Sequence, residues 1–403
     1  MPDTSAPAPV SIPVARQLPK TRDPRLDVLR GIALVMIYIN HVPGNFWENW
    51  TSRNFGFSDA TEGFVLMAGI SAGLAYSAGF RVRWPWQGVA RIWRRAWTLY
   101  LVHLLITFGA LAIAAALASF ADIPAMLWKH GMGLLFRDPL GFLIGVPTLG
   151  FQIGYANILP LYFVLLMAAP LVLWAAVRRP LWALAASGLL WMAAAHFRLT
   201  LPNYPTGGWQ FSPPAWQLLF VLGIVTGIAA KEGRRLVPAR RWLMALAVGF
   251  LVLSLAWMNL PGFGKTGNHL LWMANQHGAP GFMTGFSKPY LSLPRLLHLL
   301  ALFYVLASWG MVRRACASRL AAPFALLGRQ ALPVFALGSI TIYLIQGIKT
   351  ETGENFVLDT MMLGAGLALQ LAFAAARHHW PTDRDRAAPA TVAPTTPEKA
   401  LAA

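Results

Sequence analysis

Apolar runs of about 20 residues recur along most of the chain, and that is the length an α-helix needs to cross the hydrocarbon of a bilayer. Within that hydrocarbon every backbone N–H and C=O must find its partner inside the segment, so runs of this kind predict helices rather than open strands. They lie over residues 26–46, 63–80, 96–120, 155–177, 181–196, 215–230, 242–260, 291–312, 331–348 and 357–376. The expected fold is all-α, a polytopic membrane bundle of about ten transmembrane helices. Composition agrees: of 403 residues, 57% are hydrophobic and 12% charged, against about 25% charged in soluble domains. The mean hydropathy is +0.52.

A formal net charge of +18 is of the kind nucleic-acid-binding chains carry, but the basic residues form short clusters between the apolar runs. The clusters at 81–95, 178–179, 231–241 and 313–329 all fall on one side of the ten-span arrangement. That is the positive-inside pattern, which makes the lipid bilayer the partner, excludes nucleic acid and places both termini in the cytoplasm. Residues 1–24 are rich in Pro and polar groups without an apolar core, and are expected to be a disordered cytoplasmic segment ahead of a signal anchor. A membrane domain is expected over 25–378, and an Ala/Pro/Thr-rich disordered cytoplasmic tail over 379–403. The segment 121–154, apolar yet broken by Pro and Gly, reads as an interfacial or re-entrant element on the outer side. One cysteine, Cys316, excludes an internal disulfide.

The first run, RLDVLRGIALVMIYINHVP, carries charge where a purely structural span avoids it. Arg30 and His41 are eleven steps apart, roughly three full turns at about 100° per residue, so they share one helix face. At about 1.5 Å per residue they stand roughly 16 Å apart along the axis. Arg30 belongs to the inner side, as an anchor or as an anion ligand. His41, in the outer half beside Asn40, is the candidate general base, because an imidazole titrates near neutral pH. Asp59 and Glu62 open the second run on the same outer side. They either orient the His41 ring, as a carboxylate does in acyl-transfer sites, or cap their own helix. Arg91 and Arg94, three apart with Arg95 adjacent, are either a topology-setting cluster or a guanidinium clamp for phosphates at the inner mouth.

Lys288, Arg295 and His298 enter the eighth run from outside and are candidates for an anionic acyl group or a sugar. Trp216 and Gln217, at the outer end of the sixth run, are candidates for stacking on a sugar, although an interfacial belt also uses Trp. The chain has no HExxH, no CxxC pair and no phosphate loop, so neither a metal nor a bound cofactor is expected.

RLDVLRGIALVMIYINH resembles the first helix of the membrane acyltransferase-three superfamily, whose signature is an Arg and a His with ten residues between them. RIWRR resembles that superfamily's second arginine motif, matched here by Arg91 and Arg94. DATEGFVLMAGISAG, NILPLYFVLL, SPPAWQLLFVLG, KPYLSLPRLLHLLALFYV and LGRQALPVFALGSI, in order, are similar to the OpgC family. The resemblance implies an O-acyltransferase of the bacterial inner membrane. It would transfer an acyl group, succinyl in the named member, from cytoplasmic acyl-CoA (succinyl-CoA) as co-substrate to a periplasmic glucan or another envelope polysaccharide. Arg91, Arg94 and Arg30 would then meet the donor phosphates, His41 would deprotonate a sugar hydroxyl, and Asn40 would stabilise the oxyanion. Lys288 or Arg295 would pair with a succinyl carboxylate. A transporter or flippase for an envelope glycan or lipid is the alternative from another class. It predicts movement without covalent change and discontinuous helices arranged as repeats, of which the sequence shows none.

Overall fold

A computed structural model describes residues 23–380, so all but the inner edges of the expected terminal segments 1–24 and 379–403 lie outside the described residues. Ten principal helices follow: α1 Pro24–Asn40, α2 Ala60–Tyr76, α3 Trp86–Phe120, α4 Ile158–Arg178, α5 Pro180–Phe197, α6 Pro213–Lys231, α7 Arg241–Asn259, α8 Leu293–Ser308, α9 Ala331–Thr352 and α10 Phe356–His379. Among the described residues there is no strand, only an isolated bridge between Pro202 and Gly208. Among the described residues eight helices are long and apolar enough to cross a membrane. The count is nine if α8 and Gly310–Cys316, which meet at a 76° bend, form one broken span. α1, at 17 residues, is shorter than those spans, yet it stands where the first apolar run places it.

The chain is thus a multi-pass membrane helix bundle, and its helix ends follow local chemistry. Asp23 caps α1, accepting from the Arg25 N–H, and Pro24 follows in the first turn. The expected first span, 26–46, ends early: at His41 the helix stops, and two 3-10 turns, Phe46–Trp50 and Ser52–Asn54, occupy the connection. α3 departs the other way, running back through the arginine cluster to Trp86. At 35 residues it is about 52 Å long and outreaches the bilayer core. The segment 121–154, expected to be an interfacial or re-entrant element, carries short helices between 124 and 145. The connection after α7 holds a helix, Pro261–Gln276, that the hydropathy pattern does not show.

The arginine clusters share one end of the bundle. There Arg81 pairs with Glu232, Arg25 donates to the Ala307 carbonyl at 2.5 Å, and Arg329 faces Asp27 at 3.5 Å. Small residues set the closest packing. A Cβ on Gly69 or Gly73 would overlap the Phe220 or Ile224 carbonyl of α6, and one on Gly223 or Gly227 would overlap α2 backbone. Two glycine pairs at four-residue spacing let α2 and α6 touch backbone to backbone. α1 makes the same kind of approach to the short helix Ala322–Arg329, through Gly31 and Gly328.

Candidate active site

His41 ends α1. Its N–H still reaches back to Ile37 at 3.1 Å, but the carbonyls of the last turn have no continuing helix to satisfy them. Side-chain amides take over: Asn45 donates to Ile39 and Val42, at 3.0 and 2.5 Å, and Gln346 of α9 donates to the His41 carbonyl. The imidazole lies against the Tyr155 ring, centroids 4.4 Å apart. Its Nδ1 is enclosed and has no protein hydrogen-bond partner. Lys288, Asp59 and His130 are the ionisable groups that act electrostatically on it.

Tyr155 also meets His130 edge to face, 5.0 Å between centroids, and Tyr343 packs against His130 with its hydroxyl on the Gly154 carbonyl. His130 Nε2 is 2.5 Å from Gln346 Oε1. Nothing in the sequence singles out His130, Tyr155 or Gln346 as site residues. They arrive from a loop and a distant helix, and only the tertiary fold brings them to the first helix.

Two cavities lie along α1. One, of about 190 Å³, is lined by Arg30, Ser71, Tyr76, Arg95, Tyr162 and Phe335 among others. A smaller one is lined by Ile37, Tyr38, His41, Phe335, Ser339 and Gln370 among others. Phe335 stands on the wall of both. Arg30 donates to Ser71 Oγ at 2.5 Å and to the Met67 carbonyl at 3.3 Å, which holds its guanidinium across to α2. The expected clamp partners Arg91 and Arg94 are exposed and do not line this cavity; Arg95 does. Arg95, itself exposed, lies one helical turn before buried Leu99, which lines the same cavity.

Asp59 and Glu62 do not touch His41. They form a capping box at the start of α2, with the Thr61 N–H on Asp59 at 2.8 Å and the Asp59 N–H on Glu62 at 3.0 Å. Their remaining oxygens hold two cations: Lys288 is 2.5 Å from Asp59, and Arg295 Nε is 2.7 Å from Glu62. Arg295 also approaches Asp59 at 3.5 Å. Burial pushes the Asp59 carboxyl up, but Lys288 and Arg295 outweigh it and leave the carboxyl below the usual range. Both carboxyls are thus engaged by the cations and the capping box, and neither bonds the imidazole.

The remaining acceptor-side candidates serve the scaffold. His298 is buried, its Nδ1 2.7 Å from Ser58 Oγ, and it fastens the loop before α2 to α8. Trp216 is fully buried, its indole N–H donating to the Lys288 and Pro289 carbonyls at 3.1 Å. Gln217 bonds both ends of its amide to Ser187 of α5, at 2.7 and 2.8 Å. None of the three side chains is presented for stacking or binding a sugar. Asn40 turns its carbonyl oxygen to the Thr51 hydroxyl at 2.7 Å. Among the described residues no group of three or more His, Cys, Asp or Glu side chains is placed to hold a metal ion.

No curated protein and no solved structure matches the chain. A family model described as OpgC protein matches residues 22–382, which takes in all ten principal helices. The chain therefore belongs to the OpgC family, and with that membership goes an acyltransferase-like role in glucan modification.

Proposed function

We propose that the chain moves an acyl group from acyl-CoA, bound at the arginine end, to a hydroxyl of a periplasmic glucan at the histidine end, with His41 as general base. The observation that carries this reading is the succession along α1 of a cavity holding Arg30 and Arg95 and a second one holding His41, with Phe335 on the wall of both. Guanidinium groups suit the phosphates of a CoA donor. In this reading Arg95 takes the place first given to Arg91 and Arg94. His41 Nδ1 has no protein partner, so in the tautomer with its hydrogen on Nε2 it would offer a lone pair to a substrate proton.

The step balances without a metal or redox group. His41 accepts the hydroxyl proton, the alkoxide oxygen attacks the thioester carbonyl, the C–S bond breaks, and the proton passes to the departing thiolate. The acyl group is succinyl, as the family resemblance implies. Lys288 and Arg295 already face Asp59 and Glu62, so neither is offered to a succinyl carboxylate. The chain would sit in the bacterial inner membrane with its arginine end cytoplasmic.

Mass spectrometry of periplasmic glucans tests the reading. Glucans from a strain deleted for the chain should lose the acyl mass and regain it on complementation. Unchanged glucan masses with altered glucan location would instead support the transporter or flippase alternative.

A further inference from the structure

Gln346 is buried in the middle of α9 and uses both ends of its amide. Its nitrogen donates to the His41 carbonyl, so the atom facing His130 must be its oxygen, an acceptor. His130 Nε2 must then carry a hydrogen. The amide orientation fixes the tautomer of a histidine more than 200 residues away in the chain, at |i−j| = 216.

The backbone beneath His130 and Tyr155 has been shaped to make this possible. Both are non-glycine residues in the left-handed region, with φ of +56° and +68°, a conformation that persists where surrounding contacts over-determine it. Between them in space sits Gly154, where a Cβ would be 2.9 Å from His130 Nδ1. The loop therefore spends conformational strain and a glycine to bring one imidazole and one phenol ring against the end of α1.

The contacts close on themselves. The His41 carbonyl is tied to Gln346, Gln346 to His130, the His130 ring to Tyr155, and the Tyr155 ring back to the imidazole of His41. His41 is gripped at two points, one on its peptide and one on its ring, in the place where α1 no longer supplies helical hydrogen bonds. Among the described residues no carboxylate bonds its ring, and this circuit supplies the contacts that orient it.

We propose that Gln346 and His130 are positioning residues that hold the His41 imidazole in its reactive orientation against Tyr155, in the role that a carboxylate has in other acyl-transfer sites. This rests on the reading of His41 as the base. Misplacing a reacting group by about 1 Å costs roughly 100-fold in rate. Gln346→Leu and His130→Phe should accordingly lower kcat by about that factor, with KM for donor and acceptor little changed. His130→Gln, whose amide can offer a hydrogen to Gln346 Oε1, should recover much of the loss.

A second readout does not depend on transfer activity. Diethyl pyrocarbonate acylates unprotonated imidazoles, and mass spectrometry of the His41 peptide gives the rate at that residue in membranes of the intact protein. In Gln346→Leu and His130→Phe the His41 ring should be modified several-fold faster than in the wild type, and His130→Gln should restore the wild-type rate. An unchanged His41 modification rate in Gln346→Leu, or a His130→Gln variant no better than His130→Phe, would overturn the clamp. If the wild type transfers no acyl group yet the modification rates change as expected, the functional reading fails and the clamp stands.

Discussion

Lys288 and Arg295 look, in the sequence, like cations waiting for an anionic substrate, and the fold instead gives each a carboxylate on α2. The energetic consequence falls on Asp59, whose carboxyl lies below its usual range despite burial. A carboxyl with a folded pKa below its unfolded value of about 3.9 stabilises the fold fully above that pH and loses the contribution as the pH falls further. Asp59→Asn should therefore lower stability at pH 7 by about 3 kcal/mol, since it strands Lys288 beside a neutral group. The gap from wild type should shrink below about pH 4, readable as melting temperature against pH in detergent. At the other end, Arg95→Ala should raise the KM for acyl-CoA by about tenfold or more, the loss expected for a charge-assisted bond, while Arg94→Ala should leave it unchanged. Acceptor-binding kinetics measured in parallel should be unaffected in both. At this scale His41 was legible, because an imidazole closing an apolar helix is costly and conspicuous. His130, Tyr155 and Gln346 were not, because each has an ordinary local explanation and their convergence exists only in three dimensions.

The helices themselves were largely readable, since a span must be apolar over its whole length and that requirement is written in one dimension. Errors gathered where polarity and helicity part company. α3 begins at Trp86 because an Arg- and Trp-rich stretch is still helical beyond the hydrocarbon, and hydropathy alone cannot see it. α1 stops at Asn40 because His41 and Pro43 end the helix while the apolar run continues. The Gly69–Gly73 and Gly223–Gly227 pairs could be recognised as small-residue faces, but not which helix each would meet. Their mutual contact makes a sharp prediction for the pair of elements. Gly69→Leu or Gly223→Leu must push two backbones apart, and should cost about 3 kcal/mol or more, or abolish folded protein. Gly249→Leu, at a position with open space around it, should leave folded yield near wild type by fluorescence-detected gel filtration.

Across the whole molecule, the bundle separates an arginine end from a histidine end and joins them through α1. That polarity can be tested without any assumption about chemistry. In a Cys316→Ser background, Asn49→Cys reports the histidine end and Arg83→Cys the arginine end, both at exposed positions. A membrane-impermeant maleimide added to spheroplasts should label Asn49→Cys at once, and Arg83→Cys only after the membrane is opened; the reverse order would invert the proposed direction of transfer. The account stands on the chemistry at the far end of α1, and the rate of acyl transfer by purified protein in liposomes measures it most directly. With succinyl-CoA as donor and isolated glucan as acceptor, at matched amounts of folded protein, His41→Ala should be slower than wild type by about 10²-fold or more. A His41→Ala rate within about twofold of wild type would contradict the role given to His41 as the base.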